Sequence, residues 1–149
     1  MKRTLQLKIL VTAFALSLVS LCATAADQTT PQTAAAREHV VFQVSDATPG
    51  KWNLTLNNAK NVQEALGKNN VDVEIVTYGP GVDMLKLESE VGNRVDKALA
   101  DGVKIVACEN TMKHMKLTKA DMLSSIGYVP GGVLELMKKQ KEGWAYIHP

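Results

Sequence analysis

Cysteine, aromatic side chains and surplus charge are all scarce in this sequence, and each shortage narrows what the protein can be. Aromatic residues make up only 5% of the chain, whereas a flavin site wants aromatic rings around its ligand. None of the glycine clusters has the dinucleotide or P-loop spacing. The three histidines, His39, His114 and His148, form no metal-spaced pair, and a soft-metal site built on Cys108 and His114 would lack further soft ligands. There is no Ser-His-Asp pattern and no helical carboxylate pair for hydrolysis. On these grounds no metal or other cofactor is expected.

The one long apolar run, "ILVTAFALSLVSLCA", is about 15 residues and falls short of the ~20 that a membrane-spanning helix needs. It follows the basic "MKRTLQLK" and precedes the small residues of "ATAADQ". A basic start, an apolar middle and an A-x-A site describe a secretory signal peptide over residues 1–25, cut after Ala25 or Ala26. Cys22 raises a lipoprotein alternative, but Leu21 before it is larger than the small residue such a site uses. Periplasmic or secreted localisation follows, with no stable membrane insertion after cleavage.

Processing also removes Lys2, Arg3 and Lys8. Of 17 Lys+Arg, 14 remain against 15 Asp+Glu, so no basic footprint for nucleic acid is left. Cys108 becomes the only cysteine and has no internal disulfide partner. In an oxidising compartment such a cysteine is sequestered, paired between chains, or kept for chemistry.

Residues 26–38 are polar, without apolar periodicity, and read as a flexible leader. From 39 to 149 the pattern alternates. "HVVFQVSD" is a nearly continuous apolar strand, as expected for one covered on both faces. Trp52, Leu56, Ala59, Val62 and Leu66 then follow helical spacing, with Gly67 as a stop. "VDVEIVTYG" alternates apolar residues with Asp72 and Glu74, which predicts a strand with one wetter face near a sheet edge. Met84, Leu87, Val91, Val95 and Ala98 predict a single helix closed at Asp101–Gly102, with Gly92 inside it. "VKIVAC" is a strand, "NTMKHM" and the stretch from Thr118 are short helices, and "IGYV" is a short strand. "PGGVLELMKKQKEG" is a helix with Val133, Leu136, Met137 and Gln140 on one side, and "WAYIH" a last edge strand.

Strands alternating with helices at this spacing imply right-handed crossovers and a mainly parallel sheet. The fold class is therefore α/β: one domain, a flavodoxin-like three-layer sandwich around five strands, with the order 2-1-3-4-5 the commonest arrangement. The first and third strands would then be neighbours flanking the switch point where such folds bind ligands.

Three loops follow strand ends: "SDATPGK" with Ser45 and Asp46, "YGPGVD" with Tyr78, Gly79 and Gly81, and "CENT". The glycines can turn the chain or cradle an anion through backbone N–H groups. Cys108 faces a helix start, where unpaired N–H groups favour a thiolate. Asn110 or Thr111 would cap that helix, while Glu109 opposes ionisation. A buried, purely structural cysteine fits the same position. Asn53, Asn57, Asn58 and Asn61 crowd one helix, where they can bond loops or a neighbouring subunit, or lie solvated.

The segments "VVFQVSD", "KWNLTLNNAKNVQEAL", "VEIVTYGPGVDML", "VKIVACENTM" and "YVPGGVLELMKKQKEGWAYIHP" together resemble the DsrE/DsrF-like proteins, in particular the small exported or uncharacterised branch of that sulfur-relay superfamily. The likeness runs from His39 to Pro149. It implies an α/β domain assembled as a homo-trimer or hexamer. It also implies a persulfide-carrying cysteine in the loop after a central strand, where Cys108 stands. Two functions follow. One is a sulfur carrier or sulfurtransferase working between a small sulfur-containing anion and an acceptor thiol protein. The other is a non-catalytic oligomeric protein that binds a small ligand and uses Cys108 structurally.

Overall fold

Val40, Val41, Phe42 and Val44 are all buried, as an apolar run without alternation requires of a strand covered on both faces. They belong to β1 (Glu38–Val44) in a computed structural model that describes residues 37–149. The signal peptide and all but the last two residues of the leader lie outside the described residues. Helix α1 (Pro49–Leu66) opens with proline in its first turn, where no N–H is needed, and stops at Gly67, whose φ of 85° suits glycine. Strand β2 (Val71–Thr77) leads into a 3-10 helix (Gly79–Leu85), then α2 (Gly92–Ala100), β3 (Lys104–Cys108) and α3 (Glu109–His114). A short 3-10 turn (Lys119–Asp121) precedes β4 (Gly127–Val129), α4 (Gly132–Lys141) and β5 (Ala145–Ile147).

The five strands form one parallel sheet. Its order, β4-β3-β2-β1-β5, corrects the expected 2-1-3-4-5, because β2 lies between β1 and β3. Three successive crossovers step in one direction across the sheet, so right-handed connections put α1, α2 and α3 on the same face. The fourth runs back past β1 and puts α4 on the other. The packing agrees. Trp52, Leu56 and Ala59 of α1, Val95 of α2 and Met112 of α3 join Phe42, Ile75 and Ile105 in the larger core, while Leu136 of α4 packs with Val41, Val76, Val106 and Val129.

Other expectations change for physical reasons. The β2 strand is interior, and Glu74, expected on a wet face, is fully buried because it pairs with Lys104 and Lys139 (3.2 and 3.1 Å). The long helix expected from Met84 to Ala98 is broken. The chain leaves the 3-10 helix at Lys86, which is extended and bridges antiparallel to Met122: Leu87 N–H donates to Asp121 O, and Leu123 N–H to Leu85 O (3.0 and 2.9 Å). Leu87 therefore lies 60% exposed, and Gly92 begins α2 instead of interrupting it. In α4 the inward residues are Gly132, Leu136 and Lys139, with Val133 and Met137 turned outward.

The asparagine face of α1 finds half of its explanation in α2. Arg94 donates to Asn53 Oδ1, and its second nitrogen donates to Asn57 Oδ1 at 2.6 Å. No carboxylate shares this contact, and Asn57 is exposed. Arg94→Met is accordingly expected to lower stability by about 1 kcal/mol or less in urea denaturation.

Candidate functional site

Cys108 is the last residue of β3, and the chain turns at once into α3. Its side chain takes the helix-capping role expected of Asn110 or Thr111: the Thr111 N–H donates to Cys108 Sγ at 3.4 Å. The hydroxyl of Thr111 is fixed in turn, because Gly79 N–H donates to Thr111 Oγ1 at 3.0 Å. Gly79 has φ of 52°, a left-handed conformation that glycine adopts without strain. The glycine loop after β2 thus serves to orient Thr111.

Burial pushes the Cys108 thiol up, and this is the largest single influence on it. The Thr111 side chain and the N–H groups of Thr111, Gly132 and Asn110 together outweigh burial and hold the thiol below its usual value. The Asn110 N–H is shared, since its well-formed bond runs to Pro130 O at 3.2 Å. Glu109, which would oppose ionisation, is drawn to Lys119 at 3.5 Å and is not among the largest influences on the thiol.

Cys108 is 4% exposed, but it lines a cavity of about 430 Å³ together with Tyr78, Asn110, Thr111 and the segment Pro130–Leu134. The topology accounts for this opening. Connections leave β3 and β4 towards opposite faces, so the chain diverges beyond the paired ends Cys108 and Val129 and leaves a crevice, the switch point of an open α/β sheet. The crevice was expected between the first and third strands. It lies between β3 and β4, and Cys108 is in it.

The structure therefore gathers Tyr78, Asn110 and Thr111 around Cys108, places Gly79 behind Thr111, and leaves Ser45, Asp46 and Gly81 outside the cavity lining. Ser45 and Asp46 follow β1 on the far side of β2. Ser45 Oγ accepts from Gln43 Nε2 (3.3 Å), and the Asp46 carbonyl accepts from Trp52 Nε1 (2.6 Å). Gly81 does not line the cavity; it presses against the backbone of Val44 and Ser45. Residues 130–134 are the part that sequence reasoning missed. Their "PGG" pattern reads locally as the opening of a helix, though it follows the strand beside the cysteine-bearing one. Tyr78 stays a neutral phenol: burial, then the nearby Tyr146, push its hydroxyl up more than Ser45 and Gln43 bring it down. Among the described residues no cluster of His, Cys, Asp and Glu can hold a metal ion, and no helix is long and apolar enough to cross a membrane.

The profile of the DsrE/DsrF-like family matches residues 38–149. The chain belongs to the DsrE/DsrF-like family. It is 32% identical to a protein of unknown function, MTH1491 from Methanobacterium thermoautotrophicum. That likeness has a TM-score of 0.72 and covers 75% of this chain and 99% of that one. A second solved structure, BT1422 from Bacteroides thetaiotaomicron, also of unknown function, shares the fold at 14% identity. Its TM-score is 0.61, with coverage of 75% of this chain and 95% of that one. No curated protein matches. This DsrE-like domain thus keeps the family's α/β sheet and places its one described cysteine in the crevice between β3 and β4.

Proposed function

We propose that this DsrE-like protein is a thiol-based sulfur carrier that holds sulfane sulfur as a persulfide on Cys108. The observation that carries the reading is the thiol itself. It is ionised more easily than an ordinary thiol in spite of burial, and it opens on a cavity large enough for a small donor. A thiolate is the attacking form in sulfur exchange. In loading, Cys108 Sγ attacks the outer sulfur of a donor R–S–SH. The donor's S–S bond breaks, Cys108–S–SH forms, and RS⁻ leaves and takes a proton from solvent. An acceptor thiolate then attacks the outer sulfur in the same way and returns Cys108 to the thiolate. No oxidant is needed in either step.

Asn110 and Thr111 hold the sulfur, and the base of the Tyr78 ring forms part of the cavity wall against Gly132, while its hydroxyl faces Ser45 and Gln43. Action after export, in the periplasm or outside the cell, belongs to the same proposal and is supported by the N-terminal sequence pattern. Assembly as a trimer or hexamer is supported by family likeness and by the exposed Val133, Leu134 and Met137 on α4. The second reading, a ligand-binding protein with a structural cysteine, is supported by the 4% exposure of Cys108.

Intact mass separates the two readings. After incubation with polysulfide, the carrier gains about 32 Da for one sulfur atom. Reductant removes the adduct, and Cys108→Ser does not form it. A folded protein that gains no adduct and resists alkylation is the binding protein.

A further inference from the structure

Helix α4 is the only helix of the described residues packed on its face of the sheet, and it also supplies one wall of the Cys108 cavity. Its apolar seating is small: Leu136 against Val41, Val76, Val106 and Val129, with Tyr78 and Trp144 at the margins. Two turns after Gly132, α4 turns a lysine inward. Lys139 is 9% exposed, and its Nζ is 3.1 Å from Glu74 Oε2 and 4.1 Å from the centre of the Trp144 ring. Glu135 and Glu142, both on its own side of the sheet, approach to 3.8 Å. Glu74 is fully buried in the middle of β2. Its Oε2 is shared with Lys104 at 3.2 Å, and its Oε1 has no partner.

A buried pair of this kind adds little net stability compared with well-packed apolar side chains, but it is directional. An apolar contact tolerates a small slide or rotation of a helix; a buried lysine seated between the Glu74 carboxylate and the Trp144 ring tolerates it less. The end of α4 that matters to the thiol is sensitive to such motion. Gly132 bears an N–H that lowers the Cys108 pKa, and it sits so close to Tyr78 that a Cβ there would lie 2.8 Å from the tyrosine Cβ.

We propose that the buried Glu74–Lys139 pair is a positioning device for the Cys108 site, fixing the register of α4 so that the Gly132 N–H stays on the sulfur and residues 132–134 keep the cavity open. Neither residue touches the sulfur; both act through the helix. The inference rests on Cys108 being the reactive centre.

The sign of the effect tests it. Glu74→Gln removes a negative charge, leaving Lys104 without its carboxylate and Lys139 with only the longer contacts to Glu135 and Glu142, and through space the lost negative charge favours the thiolate. Loss of the Gly132 hydrogen bond disfavours it. The measurement is the rate of iodoacetamide reaction with Cys108 in the folded full chain across pH, beside a thermal melt. The proposal expects Glu74→Gln to move the profile to higher pH and slow alkylation at neutral pH about two- to tenfold, the loss of one hydrogen bond. An unmoved profile, or one moved to lower pH, overturns it even if the melt shows a loss of stability. If Glu74→Gln does not fold, the double variant Glu74→Leu with Lys139→Met is read instead. This keeps the apolar volume but not the direction, so the same upward movement is expected and an unmoved profile overturns the proposal. Alkylation requires no sulfur donor. A protein that alkylates normally but takes up no sulfur refutes the carrier reading, whereas an unmoved Glu74→Gln profile refutes only the positioning role.

Discussion

Gly81→Ala is expected to lose about 3 kcal/mol of stability, the upper end of what overpacking costs, with a fall in melting temperature of about 10 °C for a domain of this size. A Cβ at this position would sit inside the carbonyl of Val44, 2.7 Å from its carbonyl carbon and 3.0 Å from Ser45 Cα. All three contacts are backbone, so no side chain can swing aside. The strand end cannot yield either, because the Val44 carbonyl already accepts from Tyr78 N–H at 3.1 Å, and Val44 pairs with Thr77 in the sheet. The requirement is one of space and not of φ, since Gly81 lies outside the left-handed region. Urea denaturation with an unchanged slope would measure it, and a loss under 1 kcal/mol would show that the loop after β2 is free to move. Because that loop also carries Gly79, which fixes Thr111, the variant is expected to slow Cys108 alkylation too.

Thr111→Val should act on the thiol and much less on the fold. Valine matches threonine in shape but lacks the hydroxyl that reaches the sulfur, and it leaves the Gly79 N–H without its acceptor. The backbone N–H of residue 111 remains on Cys108. A hydrogen bond to an ionised group contributes about 1.5–3 kcal/mol. Sulfur is a weak acceptor, so the lower end applies, and about tenfold slower alkylation at neutral pH is expected. At high pH the two proteins should react alike, because both thiols are then ionised.

The same variant sets a sign for stability against pH. The native thiol lies below its unfolded value. Ionisation of Cys108 therefore adds stability that is present above the unfolded thiol pKa and is lost as pH falls through the native one. Thr111→Val reduces that contribution, so the stability gap between the proteins should widen as pH rises through this window. A constant gap would mean that the hydroxyl serves only Gly79.

Much of this was legible in the residues. Burial on both faces erases alternation, so the run Val40–Val44 announced a central strand, and the periodic stripe before Gly67 announced α1. Alternation of strands and helices implied a parallel α/β sheet, and the residues from His39 onward resembled the family that the profile then matched. Cys108 at a strand end was visible as a candidate site for the same local reason.

Only the tertiary structure decided the rest. Strand order depends on which edge each crossover seeks, and nothing within a strand records its neighbours. The crevice therefore moved from β1/β3 to β3/β4, and residues 130–134 replaced Ser45 and Asp46 at the cavity. Glu74 looked solvent-facing because a charge in alternation reads so until its partner is known, and Lys139 lies 65 positions away in the chain. The helix expected across Leu87 failed because residues 85–87 bond to 121–123, a pairing absent from local periodicity. The thiol's ionisation was undecidable for a similar reason. Its sign depends on where Glu109 turns and on a Gly132 N–H contributed by another helix. Local order is written in spacing, while contacts between distant segments, which set the charges and openings at the site, exist only once the chain is packed.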